Sequence, residues 1–287
     1  MNEEVKDTTP PSPAVTTVGQ KKSTIREYFE SFAVTLIMAI FGMTFILQAV
    51  TVPTGSMQNT ILVGDYLLVN KFIFTPGGGS LPFLPQREIG RGDIIVFKYP
   101  GNKLCPKNDE AHGSSAIPYQ VNYVKRVIGL PGETIEFRDN QVFINGNLLP
   151  ERRLIGDAPD NISALTVSEF ETRRPDETYD VYYSKDRMDA IRAAGAEAQP
   201  RTSTNPCRGY QFGVAGKQSV IPENHFFVMG DSRDASEDSR YWGFVPRDLI
   251  VGRAMFVYWS CDRGASNGDM LGCITHPRLN RIGKFVK

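Results

Sequence analysis

The chain has 287 residues, of which 41% are hydrophobic and 22% charged, enough for one large or two ordinary folded domains. Its 32 basic residues are balanced by 32 acidic ones, which gives no electrostatic basis for binding nucleic acid. The 26 glycines and 19 prolines favour a turn-rich, mainly β protein over a helical one.

The N-terminal part of the chain contains a polar tail and an apolar segment. Residues 1–22 are polar and proline-rich, with too little apolar material to fold, and we expect a disordered cytoplasmic tail. Residues 23–50 follow as one predicted transmembrane helix. The run from Phe32 to Val50 is almost wholly apolar and about 19 residues long, which is enough to cross a bilayer.

The charges on either side of the apolar segment predict its orientation. Lys21, Lys22 and Arg26 precede it, whereas the first basic residue after it is Lys71. The positive-inside rule therefore places the N-terminus in the cytoplasm and the chain from about residue 51 outside, as a single-pass membrane protein. A cleaved signal peptide is the alternative, but the run is long for one and is followed by no good small-residue cleavage site.

Beyond the membrane, short runs of branched and aromatic residues between turn signals predict a mainly β domain, whose first part covers residues 51–150. The predicted strands are Asp65–Phe74, Ile94–Tyr99, Val121–Gly129, Thr134–Phe137 and Val142–Ile144. The last two lie on either side of Asp139-Asn140, and Asn145-Gly146 follows them, so we expect paired hairpins there.

Residues 151–218 interrupt this pattern because they are polar and irregular. We expect an inserted variable subdomain with a strand near Tyr179–Tyr183 and a helix around Asp186–Ala194. Residues 219–287 then supply the second part of the β core, with strands at His225–Met229 and Leu249–Tyr258.

Four cysteines outside the cytoplasm allow up to two disulfides, with three possible connectivities. They are Cys105, Cys207, Cys261 and Cys273. We favour a Cys261–Cys273 pair because these two bracket a short loop rich in glycine, asparagine and aspartate. No Cys-x-x-Cys spacing occurs, so we expect no metal or redox site.

A lone serine, Ser56, lies in a turn marked by Pro53 and Gly55, a few residues after the apolar segment. Taken alone, it is most simply a turn serine that bonds to nearby backbone. Nucleophilic chemistry requires a base, and no histidine lies in a motif typical of a Ser-His-Asp arrangement. The histidines are His112, His225 and His276.

Lysine is the other candidate base. In the predicted strand Val121–Gly129, alternation places Lys125 on one face with Tyr123 and Val127. Burial there would disfavour the ammonium and lower the pKa, so that a neutral amine could accept the serine proton. The strand alone favours the simpler interpretation, a lysine that snorkels or is paired.

The segment Gly230–Gly243 is dense in hydroxyls, carboxylates and arginines, and it follows an apolar strand directly. A solvated loop with salt bridges is the simpler interpretation. However, the segment returns at once to an aromatic run, which suggests a loop held on both sides, where charge pairs fix the hydroxyls.

Five segments in order resemble the motif series of bacterial type I signal peptidases, a family of Ser-Lys serine proteases. They are residues 53–57, 64–65, 91–93, 125–133 and 230–243. Any one segment is weakly specific, but five in order behind a membrane helix are highly specific. The resemblance runs from the membrane segment to the C-terminus, apart from residues 151–218.

The resemblance implies a serine endopeptidase that removes signal peptides from exported preproteins after small residues of the Ala-x-Ala type. Ser56 matches the family's nucleophile and Lys125 its general base, while the Ser56 N–H and the Thr54 hydroxyl match its oxyanion hole. Ser236 matches the serine that orients the lysine. The matching charged support positions are Asp231, Arg233, Asp238 and Arg240.

The resemblance also implies an antiparallel β-sheet catalytic domain with an inserted β-rich subdomain. Together with the one transmembrane helix predicted before it, this gives a membrane-anchored, mainly β protein. We expect it in the bacterial inner membrane with the catalytic domain on the outer side. Its expected partners are preprotein signal peptides, the lipid bilayer and a nearby secretion translocon, with no nucleic acid, cofactor or metal.

The chain departs from the family pattern in a few places. Asn59 stands where many members have proline, and Ser232 and Ala235 replace asparagines that are common in that loop. A single apparent span also differs from members that have two. None of these changes removes a reacting group, so they put fine positioning in doubt and not the class.

Three other classes stay open at this point. A self-cleaving repressor-type Ser-Lys protease is disfavoured by the membrane segment and by the lack of a DNA-binding helical domain. A catalytically silent, membrane-tethered binding protein is disfavoured because Ser56 and Lys125 are both present. A β-lactamase-like acyl enzyme requires Ser-x-x-Lys, and residues 56–59 lack that lysine.

The Lys125→Arg variant tests the proposed base directly. We expect it to abolish cleavage although the positive charge is kept, because a guanidinium stays protonated and cannot accept the serine proton. The measurement is cleavage of a purified preprotein in detergent. Substantial residual turnover would remove lysine from the role of base.

Overall fold

Strands in three sheets dominate the part of the chain that this computed structural model describes. The described residues are 24–74, 86–105, 117–138, 140–157, 164–194, 209–214, 218–264 and 270–287. The predicted disordered tail, His112 and Cys207 lie outside these ranges. The predicted mainly β fold class is confirmed.

The first helix, α1, is Thr24–Phe41, and a π-helical turn, Gly42–Ile46, follows it. Together the 23 residues Thr24–Ile46 have a mean hydropathy of 1.9 and are long and apolar enough to cross a membrane. The large apolar side chains of α1 are exposed, as expected for a lipid-facing helix.

The predicted transmembrane helix extends too far at its C-terminal end. Residues 47–50 belong to strand β1, Leu47–Thr51, which pairs antiparallel with β2, Asp65–Asn70. Val50 is buried in the core of the β domain. Composition alone could not show this boundary, because an apolar residue suits both a lipid-facing helix and a buried strand.

The largest sheet contains β1 and β2 together with β3 (Ile94–Lys98), β4 (Asn122–Gly129), β12 (His225–Met229), β13 (Val245–Pro246) and β14 (Ile250–Ser260). Its seven antiparallel strands lie in the order β1-β2-β14-β3-β4-β12-β13. Because β14 lies between β2 and β3, the C-terminal part of the chain completes the sheet begun by the N-terminal part. The predicted strands in these regions are confirmed within a few residues.

A second sheet, in the order β11-β5-β6-β7, contains the predicted hairpins. Its strands are β5 (Thr134–Arg138), β6 (Gln141–Ile144), β7 (Asn147–Leu148) and β11 (Ser219–Val220). Asn145 and Gly146 both have positive φ, 51° and 79°, as a tight two-residue turn requires. The paired hairpins are confirmed.

The third sheet lies within the predicted insertion and has the order β10-β8-β9. Its strands are β8 (Arg152–Asp157), β9 (Thr166–Phe170) and β10 (Asp180–Ser184), and helix α2 (Lys185–Ala194) follows β10. β10 is parallel to β8, and β9 is antiparallel to it. The predicted strand and helix are confirmed. The division into a β core and an inserted subdomain stays a prediction, because residues 43–287 form one compact unit.

The end of the chain is fastened to the sheet by a disulfide and a buried ion pair. Cys261 and Cys273 form the favoured disulfide, and Cys105 is also disulfide-bonded. Asp65, which is fully buried, accepts hydrogen bonds from Arg281 at 2.5 Å and from the Ser260 hydroxyl at 2.7 Å. A carboxylate with no exposure to water requires such partners.

The Asp65→Ala variant is expected to lower the free energy of unfolding by about 3–5 kcal/mol, because it leaves the Arg281 guanidinium buried without its counter-charge. Urea denaturation of the purified protein in detergent measures the change. Glu169→Ala is the matched control, since it breaks an exposed ion pair with Arg192 and should have a much smaller effect. Equal unfolding midpoints for the two variants would contradict the expectation.

Candidate active site

Ser56 lies in a tight turn shortly after β1. Thr54 is extended, with φ −128° and ψ 152°, and the one-turn 3-10 helix Gly55–Met57 follows it. Ser56 is only 8% exposed, and the side chain of Met57 is buried in the same apolar cluster as β1 and β2. The small and turn-forming residues bend the chain, while Met57 anchors the turn in the core.

Lys125 meets Ser56 from the middle of β4. The Lys125 Nζ donates a hydrogen bond of 2.5 Å to the Ser56 Oγ, and the lysine is 4% exposed. Its ammonium lies 5.7 Å from the ring centroid of Tyr123, on the strand face that the alternation predicted. Two residues 69 positions apart in the sequence therefore form a buried Ser-Lys pair.

Burial lowers the pKa of Lys125 from its ordinary value of 10.5 to about 8. The nearby charges act in both directions: Asp238 raises the pKa, Arg240 lowers it, and Glu237 and Asp231 raise it. Burial outweighs them. A substantial fraction of Lys125 is thus neutral slightly above neutral pH, as a general base requires.

Asp231 joins β4 to the chain that follows the Ser56 turn. Arg126, the neighbour of Lys125, donates to both Asp231 oxygens, at 2.8 and 2.7 Å. The Thr60 hydroxyl donates to Asp231 Oδ2 at 2.6 Å. Asp231 and Arg126 are both buried, and a bidentate arginine–carboxylate pair has a fixed geometry. The Arg126–Asp231 pair therefore fixes the position of β4 relative to the residues that follow Ser56.

Asp238 organises the other end of the segment Gly230–Gly243. It accepts hydrogen bonds from Arg240 Nε at 2.8 Å, from the Ser236 hydroxyl at 2.7 Å and from the Gly230 N–H at 3.0 Å. Burial acts to raise the pKa of Asp238, but the Arg240 charge and these hydrogen bonds outweigh it and hold the pKa below its usual value. Asp238 is therefore a carboxylate beside the dyad.

Arg233 is paired with a residue that no sequence motif indicated. The guanidinium, 1% exposed, donates to both carboxylate oxygens of Glu151, at 2.6 and 2.5 Å. Arg240 in turn donates to the Arg233 carbonyl at 2.8 Å. Glu151 is the first residue of the predicted insertion, so the insertion supplies part of the support for the site. Its burial depends on the tertiary fold, and a lone glutamate in a polar stretch gives no signal of it.

Gly230 permits a close approach that any side chain would prevent. A Cβ at this position would lie 2.3 Å from the Ser236 Oγ and 2.4 Å from the Ser56 carbonyl oxygen. The Ser232 N–H also donates to that carbonyl, at 3.1 Å. Glycine is required here because the backbone of the segment Gly230–Gly243 passes directly behind the turn that carries Ser56.

The predicted site residues lie on segments that these contacts join, but two predicted roles rest on no contact in the structure. Thr54 is exposed, and its side chain makes no capping hydrogen bond to the 3-10 helix. Ser236 donates to Asp238, and no hydrogen bond joins it to Lys125 among the described residues. The oxyanion role of Thr54 and the lysine-orienting role of Ser236 stay predictions.

The two histidines that the structure describes bond to backbone near them in sequence. The rings of His225 and His276 hydrogen-bond to backbone carbonyls close to them in sequence, at Glu223 and Gly272. Within the described ranges, no group of three or more His, Cys, Asp or Glu residues is placed to hold a metal ion.

Comparison with known proteins gives the family. A family model described as "Signal peptidase, peptidase S26" matches residues 25–259, which is most of the chain. The chain belongs to the peptidase S26 family of signal peptidases. As a member of this family it is a serine endopeptidase that cleaves signal peptides, and this excludes the repressor-type, binding-protein and acyl-enzyme alternatives.

Individual relatives of this family match the chain over most of its length. Signal peptidase I of Pseudomonas aeruginosa is 31% identical, covering 87% of this chain and 78% of that protein. Signal peptidase I of Aquifex aeolicus is 30% identical, covering 87% of this chain and 94% of that protein. A solved signal peptidase I from Enterococcus faecalis is 25% identical and covers 58% of this chain and 97% of its own, with a TM-score of 0.29, which supports no structural argument.

The buried Lys125 predicts a pH dependence for this peptidase. If the neutral amine is the active form, kcat/KM rises about tenfold per pH unit below about pH 8 and levels off above it, because the folded-state pKa is about 8. Initial rates on a signal-peptide substrate, measured from about three pH units below this pKa to about two units above it, give the profile. A flat profile across pH 8 would contradict the role of Lys125 as base.

Proposed function

We propose that Ser56 and Lys125 form a catalytic Ser-Lys dyad that removes N-terminal signal peptides from exported preproteins after small residues of the Ala-x-Ala type. The observation that carries the proposal is the 2.5 Å hydrogen bond between Lys125 Nζ and Ser56 Oγ. Both side chains are buried, and burial lowers the pKa of the lysine to about 8.

In the acylation step, the neutral Lys125 amine accepts the Ser56 proton as the Oγ attacks the carbonyl carbon before the cleavage site. The Ser56 N–H and the Thr54 hydroxyl are the proposed donors to the resulting oxyanion. Support comes from the position of Ser56 in the first turn of a 3-10 helix, where backbone N–H groups have no partner within the helix. The Lys125 ammonium then protonates the leaving amine, which is the new N-terminus of the mature protein.

In the deacylation step, Lys125 again acts as base and takes a proton from the water that attacks the Ser56 ester. The signal peptide leaves with its new carboxyl group, and Ser56 recovers its proton from Lys125. Asp231, Arg233, Asp238 and Arg240 serve as supports in this proposal, because their ion pairs hold the backbone around both reacting groups.

We also propose the localisation: the bacterial inner membrane, with one span, a cytoplasmic N-terminus and the catalytic domain on the outer side. The span Thr24–Ile46 supports membrane anchoring, and Ser56 follows Ile46 by ten residues in the sequence. This short connection suits a substrate whose cleavage site follows its own apolar segment. The bilayer and a nearby secretion translocon are the proposed surroundings.

Cleavage by the wild type, Ser56→Ala and Lys125→Ala tests the dyad. We expect the wild type to cut a purified preprotein in detergent after a small residue, and both variants to lose at least about a thousandfold in kcat, as removal of a nucleophile or its base does. Circular dichroism checks that each variant is folded. Cleavage at the same site by Ser56→Ala would place the nucleophile elsewhere.

A further inference from the structure

Asn59, three residues after Ser56, has an unusual backbone conformation. Its φ is 71°, in the left-handed region that asparagine tolerates better than most residues. Proline, whose φ is fixed near −65°, cannot adopt this conformation. The turn after Ser56 therefore has a shape that asparagine or glycine allows and proline does not.

The side chain of Asn59 bonds to a distant backbone segment. Its Oδ1 accepts from the Leu165 N–H at 2.7 Å, and its Nδ2 donates to the Leu165 carbonyl at 3.2 Å. The amide thus satisfies both backbone groups of one residue, as a neighbouring strand would. Leu165 directly precedes β9, so these bonds fasten the turn that carries Ser56 to the three-stranded sheet.

The same three-stranded sheet also bonds to the segment Gly230–Gly243. The Tyr182 N–H of β10 donates to the Asp231 carbonyl at 2.8 Å, and the Arg233 N–H donates to the Tyr182 carbonyl at 2.9 Å. Asp234 accepts from the Ser184 N–H at 3.0 Å and lies 2.7 Å from the Arg187 guanidinium. One sheet thus contacts both the turn that carries Ser56 and the loop that supports its base.

We propose that Asn59 is a positioning residue for the Ser56–Lys125 dyad. Through Asn59, the insertion aligns the turn that carries Ser56 with the segment Gly230–Gly243. The inference rests on the proposed function of Ser56 and Lys125. Among the described residues, the Asn59 side chain bonds to Leu165 and to neither Ser56 nor Lys125. It acts by fixing the far end of the turn, next to Thr60, whose hydroxyl is bonded to Asp231.

The test compares Asn59→Gly with a matched control, Asn145→Gly. Both asparagines have positive φ, and glycine keeps that conformation in each case. Asn145 also uses its side chain to bond backbone, at the Thr134 N–H, 2.8 Å away, but in a hairpin of the second sheet. Both variants therefore lose side-chain hydrogen bonds, part-buried at Asn59 and exposed at Asn145, and only Asn59→Gly loosens the turn that carries Ser56.

For Asn59→Gly we expect kcat on a purified preprotein to fall by about 10- to 100-fold with KM changed less than about twofold, because a small misplacement of a reacting group costs this much. The low-pH limb of kcat/KM should also move to higher pH, since a looser turn admits water to Lys125. Asn145→Gly should keep the wild-type kcat and pH profile even where its own loss of hydrogen bonds lowers the thermal midpoint.

Two further variants sharpen the test. Asn59→Pro, whose fixed φ is incompatible with the positive φ of this position, should lower kcat at least as far as Asn59→Gly; activity at or above the wild-type level would overturn the inference. Asn59→Asp keeps the acceptor for the Leu165 N–H and should retain more activity than Asn59→Gly. If Asn59→Gly does not fold, Asn59→Asp becomes the test variant. In that case a wild-type kcat for Asn59→Asp would count against the inference.

The failure of this inference is distinguishable from the failure of the proposed function. If the wild type cleaves and Ser56→Ala does not, but Asn59→Gly behaves like Asn145→Gly, only the positioning role is wrong. If Ser56→Ala still cleaves, the dyad itself is wrong and the positioning role falls with it.

Discussion

The contact between the Lys125 amine and the Ser56 hydroxyl imposes the main constraint on this structure. A lysine that is 4% exposed loses most of its hydration, and the pKa change from 10.5 to about 8 corresponds to about 3 kcal/mol between its two protonation states. The surrounding fold must supply that free energy. Lys125 lies in the middle of β4, with β3 on one side and β12 on the other, so the strand cannot move to return the amine to water.

The buried charges around Ser56 and Lys125 are paired, and burial has the largest effect on the pKa of Lys125. Asp238 alone would stabilise the ammonium and oppose the loss of its proton, but Arg240 binds both oxygens of that carboxylate and carries the opposite charge. Asp231 is paired with Arg126 in the same way. Each carboxylate can thus hold backbone and hydroxyl groups in place, and at Asp238 the Arg240 charge opposes the effect of the carboxylate on the pKa of Lys125.

The order of the strands explains how distant parts of the sequence meet. β14 inserts between β2 and β3, β12 pairs with β4, and the loop after β12 reaches the back of the Ser56 turn at Gly230. The sheet of the insertion then contacts this loop through β10, and Leu165 beside β9 contacts the turn that follows Ser56. A region that is polar and irregular in sequence is therefore in direct contact with both halves of the site.

The sequence by itself determined the family, the mainly β fold, most strand positions, the Cys261–Cys273 pair and the identity of the dyad candidates, because periodicity, turn residues and ordered motifs are local signals. It placed Lys125 on one face of its strand but left its burial open, since burial depends on what packs against that face. The tertiary structure decided that burial, the end of the first helix at Phe41, and the partners Glu151 for Arg233 and Leu165 for Asn59. These last features depend on contacts between residues far apart in the chain, and one sequence alone carries no local signal of such contacts.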